Sequence, residues 1–162
     1  MHVNRPRASK RSMVNLSILL KEITQENWQE CIGLRVASHQ RSFIAPNVYS
    51  LAESKYEPSF VPMGIYLDDR MIGFLMYGKD PEDGTYWIIR LMIEETMQGK
   101  GYGRMALTES IKLLKSLPDC SPSIILGVHE SNMDAQRFYE TFGFKDTGRR
   151  EHGELLYEYV IS

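Results

Sequence analysis

The chain of 162 residues is poor in cysteine, with Cys31 and Cys120 far apart and each alone. Two isolated thiols exclude a disulfide scaffold. The absence of CxxC, HExxH or a histidine pair at ligand spacing excludes the familiar metal clusters. Both cysteines read as small buried or incidental side chains, and the expected compartment is a reducing cytoplasm. Long apolar runs are also missing. None approaches the roughly 20 residues that span a bilayer, so no membrane partner and no secretory signal is expected. Internal repeats and low-complexity tracts are absent. What remains, 43% hydrophobic and 25% charged residues, is the make-up of one soluble domain large enough to build its own core.

The net charge is only −2, but it is unevenly spread. The first twelve residues, MHVNRPRASKRS, hold Arg5, Arg7, Lys10 and Arg11 and no acid. They have no apolar periodicity and read as a basic, disordered tail (1–12) ahead of a single domain (13–162). Met13 offers a second start. Without those four, 15 basic residues face 21 acids, so the body is acidic. Such a body opposes nucleic acid, which only the tail would favour, and attracts a cationic partner.

Along the body, LSILLKEI (Leu16 to Ile23) reads as an opening strand. Thr24 is placed to cap a helix with Trp28, Cys31, Ile32 and Arg35 on one face. A second short helix is expected between Pro46 and Pro58. A hairpin from about Met63 to Tyr77 turns at Asp68–Arg70. YWIIRLMI (Tyr86 to Ile93) is apolar on both faces, as a central strand should be. A helix from about Gly101 to Leu117 carries Ala106, Leu107, Ser110, Ile111 and Leu114 at helical spacing. Then come a buried strand, SIILGVH, a helix from Ser131 or Asn132 to Phe142, and a final hairpin. The order β-α-α-β-β-β-α-β-α-β-β predicts an α/β (α+β) architecture, one mixed sheet with helices on both faces.

Between the central strand and the long helix lies MQGKGYGR, with glycines at 99, 101 and 103. A P-loop would require Gly, four residues, then Gly-Lys-Ser/Thr, but Glu94 stands five positions before Gly99 and Gly101 follows Lys100. The dinucleotide fingerprint fails at Arg104, where a third glycine belongs. What is left is Gln98-x-x-Gly101-x-Gly103. Alternate glycines let successive amides converge on an anion, the helix N-terminus adds its positive end, and Lys100 and Arg104 could neutralise a diphosphate.

This loop resembles the acyl-CoA pyrophosphate loop of the GNAT acetyltransferase family, Arg/Gln-x-x-Gly-x-Gly/Ala. The later stretch HESNMDAQRFYETFGF resembles that family's second motif through Asn132, Ala135, Tyr139, Gly143 and Phe144. The resemblance implies a GNAT fold, a mostly antiparallel sheet of about seven strands splayed in the middle. It also implies acetyl-CoA as the acyl donor, held by Leu91, Met92, Ile93, Gln98, Gly99, Lys100, Gly101, Tyr102, Gly103, Arg104, Asn132 and Tyr139. A backbone N–H near Met92 would face the thioester carbonyl. Tyr139 would be the general acid, with Glu130, or a water chain to His129, as base. Members of the family often dimerise, so a homodimer is an expectation.

The acceptor must be sought in the amino-terminal third. HQRSFIAPNVYSLAESKYEPSFVPMGIY, with Met76–Tyr77–Gly78 and Trp87, resembles bacterial diamine and spermidine/spermine N-acetyltransferases. Glu53 and Glu57 are four apart on one helix face, and with Tyr49 and Tyr56 they could offer carboxylates and aromatic faces to a polycation. Arg90, alone in an apolar strand, could pair with a carboxylate beneath the cleft or snorkel at a sheet edge. Other acceptors remain open: an aminoglycoside, an amino acid or a protein N-terminus. So does a non-catalytic acyl-CoA sensor.

Overall fold

The computed structural model describes residues 17–161; the expected basic tail lies outside them. Seven strands form one sheet in the order β1-β2-β3-β4-β5-β7-β6. They are β1 (Ile18–Glu22), β2 (Val61–Leu67), β3 (Arg70–Lys79), β4 (Tyr86–Ile93), β5 (Ser123–His129), β6 (Lys145–Glu151) and β7 (Glu154–Val160). Every neighbouring pair is antiparallel except β4 and β5, which run parallel.

Among the described residues four α-helices cover the two faces: α1 (Trp28–Gly33), α2 (Asn47–Tyr56), α3 (Tyr102–Ser116) and α4 (Met133–Phe142). On one face Ala106, Leu107, Ile111 and Leu114 of α3 pack with Ile72, Leu75, Ile88, Ile124, Leu126 and Val128 of the strands, and α4 adds Phe138, Tyr139 and Phe142. On the other face Cys31 of α1 and Leu51 of α2 pack with Met71, Phe74, Met76 and Met92. The period-3.6 pattern of α3 is met in full, since Ser110 is also buried and returns its hydroxyl to the Ala106 carbonyl at 2.7 Å. Close-packed interiors of this kind lose about 2–5 kcal/mol for each large aliphatic cut to alanine.

The start of the chain departs from expectation. Thr24 does not cap α1. Its hydroxyl instead accepts the Glu26 N–H, and Asn27, the residue before the helix, accepts the Thr24 N–H at 2.7 Å. This local Asx/Ser-Thr turn competes with the helix and delays it to Trp28. Trp28 is exposed and Arg35 falls beyond the helix end, so of the expected face only Cys31 is fully buried.

Two irregularities in the middle of the sheet matter most. The parallel pairing of β4 with β5 covers only Tyr86–Ile88 against Ile124–Leu126, and beyond it the strands part. In the ladder between β3 and β4, Tyr77 pairs with Ile88 but Met76 pairs with Arg90, so Ile89 has no partner. This bulge switches the alternation of β4. Tyr86 and Ile88 face α3, Ile89 and Met92 face α1 and α2, and Leu91 and Ile93 face α3 again. The bulge and the parting of the strands fall at the same step of the chain.

Candidate active site

The parted strands open a cavity of about 780 Å³, within the range of small-molecule sites. The edges of β4 (Ile88 to Ile93) and β5 (Leu126 to His129) form its walls. The glycine loop closes one end, α4 lies along one side, and the Ser38–Ala45 segment roofs the other.

The glycine loop is built to present amides. Gly99 and Gly101 have φ of 74° and 85°, the left-handed region that side-chain-bearing residues avoid. From Gly99 to Arg104, among the described residues, six successive amides donate to no protein acceptor; donation resumes with Met105 to the Gly101 carbonyl at 3.2 Å. A Cβ placed on Gly99 or Gly101 would meet nothing within 4 Å, so the space before these amides is open. Six unsatisfied donors at the N-terminus of a 15-residue helix make an anion site that fits a diphosphate.

Gln98 holds the loop rather than the anion. Its side-chain amide donates at 2.8 Å to the Ile93 carbonyl and at 2.8 Å to Oε1 of Gln40, tying β4, the loop and the roof together. Arg104 leans over the Phe142 ring at 5.3 Å and lines the cavity. Lys100 and Tyr102 do not line it; Lys100 points to solvent and Tyr102 packs against the core.

On α4, Asn132 is the N-cap, its Oδ1 accepting the Ala135 N–H at 3.2 Å. Seven residues on, Tyr139 lines the cavity with its ring packed edge-on to Phe138 at 5.1 Å and Phe144 at 5.6 Å. Burial pushes its phenol well above the usual value, so at neutral pH it is a proton donor.

The profile of the acetyltransferase (GNAT) family matches residues 20–144. The chain belongs to the GNAT family. A spermine/spermidine N(1)-acetyltransferase of Bacillus subtilis strain 168 is 34% identical over 148 residues, 87% of this chain and 97% of the relative. Among solved structures, a PaiA N-acetyltransferase of Thermoplasma acidophilum in complex with coenzyme A superposes with a TM-score of 0.63 at 19% identity, covering 90% of this chain and 100% of that one. The aminoglycoside acetyltransferase AAC(6')-Ib, in complex with coenzyme A and kanamycin, gives 0.75 at 19%, covering 89% and 95%. At such identity the two structures establish the fold alone. This GNAT chain is an N-acetyltransferase, and acetyl-CoA is its acyl donor.

The family frame leaves some expected residues at the cavity and others away from it. Leu91, Met92, Ile93, Gln98, Gly99, Gly101, Gly103, Arg104, Asn132 and Tyr139 line it. Glu130 does not. β5 ends at His129, the Glu130 backbone is held by Gln136 and Gly153, and its carboxylate is exposed. His129 does line the cavity, its ring tilted against Phe43 at 5.4 Å, but its Nδ1 accepts the Ser131 N–H at 3.1 Å. In the neutral ring the proton then sits on Nε2, which makes that nitrogen a donor and no base.

Of the expected acceptor group, Tyr49, Glu53, Glu57 and Trp87 are all absent from the cavity lining, and Tyr49 and Tyr56 are exposed because that face of α2 turns to solvent. Glu57 stands past the end of α2. Glu53 turns inward and pairs with Arg90 at 3.3 Å. Arg90 is therefore a second cavity-lining cation beside Arg104, and Glu53 is its counter-charge. Two thiols play no part: Cys31 is sealed between α1 and the sheet, where burial and then Glu30 push it up to about 12, and Cys120 is not at the cavity. Sequence reasoning missed His39, Phe43, Ile44, His152 and Glu154. Gly127 could have signalled the last, because a lone glycine in an apolar strand marks a close approach.

Proposed function

We propose that this enzyme acetylates a primary amine of a polyamine, spermidine or spermine, by direct attack in a ternary complex. The observation that carries the reading is the 34% identity to a spermine/spermidine N(1)-acetyltransferase along nearly the full length of both chains. The acidic body supports it, since a polycation is drawn to such a surface. Bound in the fork, acetyl-CoA supplies an acetyl group activated as a thioester.

The amides of Gly99 to Arg104 hold the diphosphate, with Arg104 as counter-ion and Asn132 fixing the helix beside them. The free edge of β4 at Leu91 to Ile93 accepts the amide-bearing arm in the manner of an added strand. We place the oxyanion donor at Ile89 rather than near Met92, because Ile89 has no register partner on β3 whereas Met92 pairs with Phe74. Tyr139 hydrogen-bonds the departing sulfur and hands on its proton. Among the described residues no cysteine or serine lines the cavity, and the Thr141 hydroxyl is turned back to the Phe138 carbonyl at 2.9 Å, so a covalent route has no nucleophile there. The two free cysteines suit a cytoplasmic setting.

The test is thiol release from acetyl-CoA with spermidine, spermine, putrescine, aminoglycosides, amino acids and peptides. Spermidine or spermine should show the highest kcat/KM. A preference for any other class overturns the assignment.

A further inference from the structure

The amine that attacks arrives as an ammonium with a pKa of about 10.4 and must lose a proton first. Glu130 does not line the cavity. We propose that Glu154 binds the acceptor's ammonium group and takes that proton; this deepens the amine-acetylation reading above and rests on it.

Ile88 and Leu126 are the last paired residues of β4 and β5, so Gly127 is the first residue of β5 past the point where the fork opens. On the far side of β5, β7 pairs Glu154 with His129 and Leu156 with Gly127. From its place opposite His129 the Glu154 side chain runs diagonally across β5, and its Oε2 lies 2.7 Å from where a Cβ on Gly127 would stand. Only a glycine there lets the carboxylate lie at the opening.

The face is also the right one. Leu155 and Tyr157 of β7 join the core under α3 and α4, so Glu154, one residue away, belongs to the opposite face. Tyr139 sits on the α3 and α4 side. The two groups therefore flank the fork, so that the amine can approach from one side while the sulfur leaves on the other.

The rivals on the acceptor wall are accounted for. Among the described residues the only carboxylates lining the cavity are Glu154 and Asp134, and Asp134 stands in the first turn of α4, on the other side. Arg90 is tied to Glu53 and to the Ile89 carbonyl. His129 presents a donor. His39 and His152 also reach the cavity, but a neutral imidazole offers no charge to hold an ammonium.

The step balances. The nitrogen bonds to the acyl carbon and the carbon–sulfur bond breaks with its electron pair on sulfur. Sulfur is protonated through Tyr139. Of the two protons the nitrogen gives up, one replaces that of the phenol and the other passes through Glu154 to solvent.

The experiment compares E154Q, G127A and the double variant with the wild type, on an amine the wild type acetylates from spermidine, spermine and kanamycin. Gly127 does not have a positive φ, and the atom nearest to a Cβ is the end of a flexible side chain, so G127A should fold. The first readout involves no turnover: calorimetric titration of the amine into the coenzyme A complex should show about a tenfold weaker affinity in E154Q, with coenzyme A affinity itself unchanged. The second is kcat, expected to fall about 10²-fold in E154Q and less in G127A. The double variant should be no worse than E154Q, since the glycine acts only through the glutamate. E154Q within threefold of wild type in both amine affinity and kcat overturns the proposal. So do losses that multiply in the double variant. If the wild type acetylates kanamycin and no polyamine, the polyamine reading fails, while the same comparison made on kanamycin still decides Glu154.

Discussion

Gly101→Val probes the anion site where it is most exposed to refutation. Gly101 holds a φ of 85° at the start of α3, and a Cβ there would touch no protein atom within 4 Å. The cost in the free enzyme is therefore one of backbone conformation, about 1–2 kcal/mol for a left-handed residue and more for a β-branched one. In a domain of this size that lowers the unfolding midpoint by roughly 2–8 °C. The cost to the ligand is larger and arises by either of two routes. If the backbone keeps its φ, the isopropyl group stands in the open space before the amides. If it relaxes to negative φ, neighbouring amides swing away. A hydrogen bond to a charged oxygen contributes about 1.5–3 kcal/mol, so losing two amides from the six costs at least about 3 kcal/mol, or roughly 150-fold in affinity. Calorimetric titration with coenzyme A and with pantetheine separates the terms. Coenzyme A should weaken by that factor and pantetheine, which lacks the diphosphate, should not. A folded variant that binds coenzyme A as the wild type does, or that loses equal affinity for both, refutes the assignment of these amides.

Tyr139→Phe keeps the ring that packs on Phe138 and Phe144, so the unfolding midpoint and coenzyme A affinity should hold while kcat falls about 10²-fold; an unchanged kcat removes the phenol from the mechanism. Gly73→Ala would set a Cβ 2.4 Å from the Met92 carbonyl oxygen, a backbone contact that cannot step aside, and should cost about 3 kcal/mol in urea unfolding, at the upper end of overpacking. Glu53→Gln strips Arg90 of its counter-charge. With both side chains partly exposed, the loss in the same assay should be about 1–2 kcal/mol, below that of a fully buried pair. Stability should also fall in alkali. Burial, then hydrogen bonds to Asp119 and Glu140, push the Tyr86 and Tyr157 phenols up to about 12, whereas unfolded phenols ionise near about 10. The unfolded chain sheds those protons first, so stability that holds below about pH 10 is lost as the pH rises towards about 12. Flat unfolding midpoints across that window would contradict the assignment.

What could be read from the sequence was local, and what could not was long-range. β4 spans Tyr86–Ile93 as expected, because an apolar run bounded by Thr85 and Glu94 leaves little freedom. The buried stripe of α3 follows from its 3.6-residue period, and the glycine loop from spacing alone. The α2 tyrosines were misjudged because two residues on one helix face can share it without that face meeting the cavity; only Glu53 turns inward, towards an arginine 37 residues away in the chain. The Ser38–Ala45 roof has no period to read. Its place is set by Phe43 on His129 and by the Gln40–Gln98 hydrogen bond. Glu154 could not be found from β7 itself, since its importance depends on the register with β5 and on the missing side chain at Gly127.

The fork opens where two irregularities of the sheet coincide. A parallel pair that continued past Ile88 and Leu126 would consume the edge groups of β4 that the fork leaves free. At the next step Ile89 lacks a partner on β3 and Gly127 lacks a side chain. These two residues follow the last parallel pair on either side of the gap. The first deficit takes Ile89, where we place the oxyanion donor, out of the register with β3, and the second admits a carboxylate from the neighbouring strand. Neither would serve without the other: an oxyanion donor with no carboxylate beside it polarises a carbonyl that no neutral amine attacks, and a carboxylate beside a closed ladder has nothing to act upon. Repairing the ladder by deleting Ile89 would therefore be expected to abolish turnover even if the glycine loop kept its grip on coenzyme A, because the site depends on both irregularities standing at one place in the sheet.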